Sequence, residues 1–149
     1  MALGSSALTL ELKRVLPAAP SVVFDAFSAS ELPKWWGPQG FTIPRVDFRA
    51  RVGETYRIEM KPPEGDPFHL TGEFREVDAP SRLAFTFAWE PADPDDVETL
   101  VGLSFRELGD STEVTFTQGT FKTEERRELH RGGWTDSFDK LARLLAPGE

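Results

Sequence analysis

Apolar and polar residues alternate along Leu8-Thr-Leu-Glu-Leu-Lys, the two-residue period of a strand with one buried face, and predict a first strand that ends before Pro17. Pro20 and Ser21 then open a short helix over 22–28, in which Val23, Phe24 and Phe27 share one apolar stripe. A second short helix is predicted over 31–36, with Ser30 as its cap and the run Gly37-Pro38-Gln39-Gly40 as its stop. The two-residue period returns at 43–47 and at 55–61, where Tyr56, Ile58 and Met60 lie on one side, and Gly53 between them makes this a hairpin. Further strands are predicted over 68–77, with Phe68, Leu70, Gly72 and Phe74 on one face, and over 83–89, where Leu83, Phe85, Phe87 and Trp89 give the clearest alternation. The turn Asp78-Ala-Pro-Ser separates these two. An acidic, proline-bearing loop over 91–98, expected to be exposed and mobile, leads to strands at 100–107 and 112–118 that meet in a tight turn at 108–111.

From Thr123 the period lengthens, with Trp134, Phe138, Leu141 and Leu145 falling on one helical face. Thr123 caps the start of this long helix, Glu124 and Glu125 occupy its first turn, and Pro147-Gly148 lies beyond its end. The order is strand, two short helices, six strands and a long helix. It predicts an α+β fold whose mostly antiparallel sheet buries one face against the last helix. A length of 149 residues, 39% of them hydrophobic and 28% charged, fits one globular domain over 8–146 preceded by a flexible N-terminal segment over 1–7.

Composition removes several kinds of chemistry. With no cysteine, the chain has no disulfide framework, thiolate metal site or cysteine nucleophile, which fits a reducing, cytoplasmic setting. A formal charge of −8 repels nucleic acid and anionic membranes. No basic region followed by an apolar run opens the sequence, and no apolar stretch approaches the roughly eighteen residues of a membrane span. Neither a phosphate-binding glycine loop nor a nucleophile elbow is present, and no metal ligand spacing or cofactor motif appears.

Few residues remain as candidates for chemistry. His69 and His130 are the only imidazoles; His69 alternates with Phe68 and Leu70 and so points away from the apolar face, and a catalytic pair is not expected. Arg45, Arg49, Arg51 and Arg57 cluster around one hairpin, where an exposed strand face balanced by Glu54 and Glu59 accounts for them better than an anion site. Gly132 and Gly133 interrupt the long helix, and close backbone approach, or room for Trp134 or a ligand, is the expected reason. Twelve Phe, four Trp and one Tyr make the interior aromatic-rich, consistent either with a closed core or with a ring-lined pocket.

The segments Ala18-Ala-Pro-Ser-Val-Val-Phe-Asp-Ala-Phe, Leu32-Pro-Lys-Trp-Trp-Gly-Pro, Arg49 to Gly53 and Gly72-Glu-Phe-Arg-Glu-Val-Asp-Ala-Pro occur in that order, followed by Gly133-Trp134 with Leu141 and Leu145. Together they resemble the family of activator of heat-shock-protein-90 ATPase homologues, within the START-like superfamily that includes the birch pollen allergen. The resemblance covers about residues 8–146. It implies a helix-grip fold, in which a seven-stranded antiparallel curved sheet wraps the C-terminal helix, two short helices close one end and a cavity lies between. Across that superfamily the cavity holds lipids, sterols, polyketides or hormones, and some branches are cyclases or hydratases.

On that resemblance the leading expectation is a non-catalytic protein, without cofactor or metal, that encloses a small hydrophobic molecule of lipid, polyketide or aromatic type. Trp35, Trp36, Tyr56, Phe85, Phe87, Trp89, Leu103, Phe105, Trp134, Phe138 and Leu141 are expected to line its cavity. A chaperone is the alternative partner, tied to the stress response. Eukaryotic activators carry an additional N-terminal domain for that contact, whereas this sequence begins at its first strand, so the enclosed ligand ranks first. An enzyme of the cyclase or hydratase kind ranks third, and the chain is expected as a monomer or homodimer.

Overall fold

The computed structural model describes residues 8–146. The segment 1–7, read above as a flexible N-terminus, and the Pro147-Gly148 stop lie outside the described residues. The chain runs β1 (Leu10–Leu16), α1 (Pro20–Asp25), a 3-10 turn (Leu32–Lys34), β2 (Thr42–Asp47), β3 (Thr55–Lys61), β4 (Phe68–Asp78), β5 (Arg82–Glu90), β6 (Thr99–Leu108), β7 (Ser111–Gly119) and α2 (Glu124–Leu145). The seven strands form one curved antiparallel sheet in the order β1-β7-β6-β5-β4-β3-β2, and α2 lies in its concave face. This is the helix-grip architecture expected from the sequence.

Local chemistry accounts for where the short elements depart from expectation. The helix expected over 22–28 begins at Pro20, whose fixed φ suits a first turn, and ends at Asp25. The helix expected over 31–36 is only a 3-10 turn. Ser30 does not cap it: Glu31 holds the N-cap position, no side chain caps the turn, and the Ser30 hydroxyl lies 3.4 Å from that of Ser28. At the other end Thr123 does cap α2, its hydroxyl accepting the Arg126 N–H at 3.1 Å.

At one end the core is packed solid, where Phe48, Tyr56, Phe74 and Phe85 interlock at centroid separations of 4.9–6.0 Å, mostly edge to face. Tyr56 donates its hydroxyl to the Thr86 carbonyl at 2.7 Å, and burial holds its pKa well above the ordinary 10. Gly72 makes that bond possible, because a Cβ there would run into the Thr86 carbonyl and the Tyr56 ring. β4 also carries a bulge between Phe74 and Glu76, which adds to the curl of the sheet. Among the described residues no helix is long and apolar enough to cross a membrane.

Candidate functional site

The curled sheet and α2 diverge beyond that packed end, and the space between them is a cavity of about 400 Å³. Its wall draws on six parts of the chain. From α2 come His130, Gly133, Trp134 and Ser137; from β5, Phe87 and Trp89; from β3 and β4, Met60 and Phe68; from the turn after the 3-10 segment, Trp36, Gly37, Pro38 and Phe41; and from the following loop, Pro91, Asp93 and Asp96, with Arg126 and Leu129 at the mouth. A largely apolar hollow with a few polar groups at one end is the usual form of a small-molecule site, and this volume falls within the common range of about 300–1,000 Å³.

Buried hydrogen bonds hold the wall in place. Trp134 donates its indole N–H to Gln118 Oε1 at 2.9 Å, and Gln118 in turn donates to Thr99 Oγ1 at 2.9 Å, so one ring of α2 is tied to β7 and β6. The turn is tied to α2 as well: the Gly37 N–H donates to Ser137 Oγ at 2.9 Å, and that hydroxyl donates to the Gly133 carbonyl at 3.0 Å. Gly37 sits at φ 95°, a backbone conformation that favours glycine, and it presents its N–H to the helix. Lys140 reaches across to the Trp36 and Pro38 carbonyls at 3.4 and 3.3 Å. Trp36 and Trp134 then meet edge to face at 5.0 Å, while Phe68, Trp89 and Phe87 form a second row at 5.3 and 5.1 Å.

The polar end is built around His130. The Trp89 indole N–H donates to His130 Nε2 at 3.3 Å, which leaves the proton of the neutral ring on Nδ1. Phe121 and Phe87 flank the imidazole at 4.9 and 5.3 Å. Burial pushes its pKa down from 6.5 to about 4; Asp96 opposes the shift and Arg126 adds to it. A ring that is neutral at physiological pH, with its lone pair engaged by Trp89, is poorly suited to act as a general base. One turn earlier Arg126 pairs with Asp93 at 2.9 Å and with Asp96 at 3.5 Å, and Lys122 donates to the Pro94 carbonyl at 2.9 Å. The 91–98 loop is exposed as its composition predicts, but it is tethered to α2 rather than free.

Of the eleven residues expected on the wall, the structure brings four together there: Trp36, Phe87, Trp89 and Trp134. The other seven pack elsewhere. Tyr56 and Phe85 belong to the interlocked cluster described above. Trp35 donates to the Ala26 carbonyl at 3.0 Å and packs on Phe27 and Phe138, with Phe105 against Phe27, and Leu103 and Leu141 are closed core. Met60, Phe68, Phe41, His130, Arg126, Asp93 and Asp96 join the wall without having been singled out for it. His130 carried a readable signal, since it precedes Trp134 by four residues on the buried stripe; the loop residues carried none.

His69 stays off the cavity wall, opposite Glu59 and Glu90 in the sheet, so the two histidines do not converge. Arg57 pairs with Glu90 at 3.0 Å, and Arg45 lies opposite Glu59, as an exposed charged strand face requires. Close backbone approach does not explain the helix glycines. A Cβ at Gly132 would meet nothing, and one at Gly133 would make ordinary contact with Pro38 at 3.7 Å, beside the cavity. No group of three or more His, Cys, Asp or Glu side chains gathers as a metal site among the described residues.

Comparison with known proteins places this architecture. A family model described as activator of Hsp90 ATPase homolog 1-like protein matches residues 17–146. Among solved structures, a protein from Chromobacterium violaceum superposes with a TM-score of 0.85 at 26% identity, covering 95% of this chain and 99% of its own. The AHSA1 protein from Silicibacter pomeroyi superposes at 0.81 with 30% identity, covering 93% and 97%. A protein from Rhodobacter sphaeroides does so at 0.81 with 26% identity and 95% of both chains. No curated protein matches the chain.

Proposed function

The chain belongs to the activator of Hsp90 ATPase homolog 1-like family of the START-like superfamily, and on that premise we propose that it encloses a small, largely apolar, ring-bearing molecule in the cavity under α2. The observation that carries this reading is the cavity itself: about 400 Å³, walled by three of the four tryptophans together with Phe41, Phe68 and Phe87. Offset and edge-to-face contacts with such rings favour flat guests over branched ones. The ring order is fixed in advance by the Gln118–Trp134 and Ser137–Gly37 bonds, so little ordering entropy is lost when a guest enters.

The test uses N-phenylnaphthylamine, an uncharged dye that brightens in apolar surroundings. The expected result is saturable fluorescence enhancement with a concentration-dependent rise in Tm, because a guest that binds only the native state stabilises it. Gly133→Leu directs a side chain from the wall into the hollow and is expected to abolish the enhancement. Leucine is also the better helix former by about 0.8–1 kcal/mol, so the variant should lose binding without losing stability. Equal enhancement in the variant and the native chain would sink the assignment of this cavity.

The family's description supports a second reading, an interaction with an Hsp90-type chaperone. Stimulation of a purified chaperone's ATPase by the chain, retained in Gly133→Leu, would support that reading and separate it from ligand binding.

A further inference from the structure

Among the described residues Arg126 is the only cationic side chain on the cavity wall, and both terminal nitrogens of its guanidinium already face carboxylates. Nη2 meets Asp93 Oδ2 at 2.9 Å, and Nη1 lies 3.5 Å from Asp96 Oδ1. The Asp96 side chain is only 7% exposed, and its other oxygen accepts the Asp93 N–H at 2.8 Å, which fixes that carboxylate in the loop. The strands and the turn at Trp36 bring no charged side chain to the wall, and the imidazole of His130 donates nothing to the charge balance. On the wall itself two carboxylates face one guanidinium, a net negative balance among the wall side chains.

Resting on the reading of this cavity as a ligand site, we infer that it takes uncharged ring-bearing molecules and turns away the same molecules when they carry a carboxylate or sulfonate. An anion that approaches the guanidinium meets a charge already shared between Asp93 and Asp96, and it stands at short range from both carboxylates, one of them buried. An uncharged guest does neither. The arginine at the mouth therefore serves less as an anion receptor than as a tether: it holds the 91–98 loop against α2, and the two carboxylates it pairs with offset its charge.

The test compares two dyes on the full chain at neutral pH and low salt. Anilinonaphthalenesulfonate is N-phenylnaphthylamine with one sulfonate added. The uncharged dye is expected to bind at least about tenfold more tightly, and the Asp93→Asn variant is expected to shrink that ratio at least about threefold. The variant separates charge from bulk, because asparagine matches aspartate in size while halving the wall carboxylates that oppose the sulfonate. Equal or tighter binding of the sulfonate by the native chain, or a ratio unmoved in Asp93→Asn, overturns charge selection while leaving the ligand site standing. Binding of neither dye overturns both.

Discussion

At the residue scale, His130 links the cavity to pH. Its folded pKa of about 4 lies below the ordinary 6.5, so above 6.5 the imidazole is neutral in both folded and unfolded chains and the shift costs nothing. As pH falls from about 6.5 to about 4 the unfolded chain takes up a proton that the folded chain refuses, and stability is lost across that window. The shift corresponds to roughly 3 kcal/mol. Protonation of the folded ring would also remove the Nε2 lone pair that Trp89 uses. Denaturant unfolding of the native chain and of His130→Gln, measured between pH 7 and pH 4, is expected to show the native chain losing up to about 3 kcal/mol more than the variant over this range. Parallel curves would contradict it. The sequence places His130 on the stripe of Trp134 and Phe138, but not its depth, because one period fixes a face and leaves open what stands opposite.

At the element scale, the same limit explains the strands. The alternation of Leu83, Phe85, Phe87 and Trp89 is legible in the sequence, and β5 does bury the first three and partly bury the fourth. Yet only Phe87 and Trp89 reach the cavity, because Phe85 lies where Phe48, Tyr56 and Phe74 already close the core. Position along the strand decides this, and it depends on the curl of the sheet rather than on any local pattern. The two adjacent glycines of α2 separate in the same way. Gly133 sits on the wall, where a larger residue would occupy the hollow, whereas Gly132 is exposed and a methyl there would touch nothing. Gly132→Ala is therefore expected to stabilise the chain by about 0.5–1 kcal/mol, read as a rise in Tm, with dye binding retained. A lower Tm would mean that the backbone of α2 needs glycine at that position.

At the scale of the whole molecule, the order of elements was legible because each change of period announces a new element, and the antiparallel sheet with a helix in its concave face is the way to bury both apolar surfaces. The hollow was expected from the family resemblance, whereas the aromatic pattern alone left a closed core equally open, because the hollow comes from the mismatch between a curled seven-stranded sheet and a single 22-residue helix, a property of assembled curvature. Tyr56 and Phe85, expected on the cavity wall, fill the packed end instead, together with Phe48 and Phe74. What lines the open end are rings and polar groups from the turn, the loop and the strand ends. The four tryptophans divide between these regions, Trp36, Trp89 and Trp134 on the wall and Trp35 in the core. A nitrogen–proton correlation spectrum recorded during titration with N-phenylnaphthylamine resolves their indole N–H signals one by one. The signals of Trp36, Trp89 and Trp134 are expected to move together and saturate while that of Trp35, bonded to the Ala26 carbonyl, stays in place; a spectrum in which the three stay still, or in which Trp35 alone shifts, would contradict a guest beneath α2.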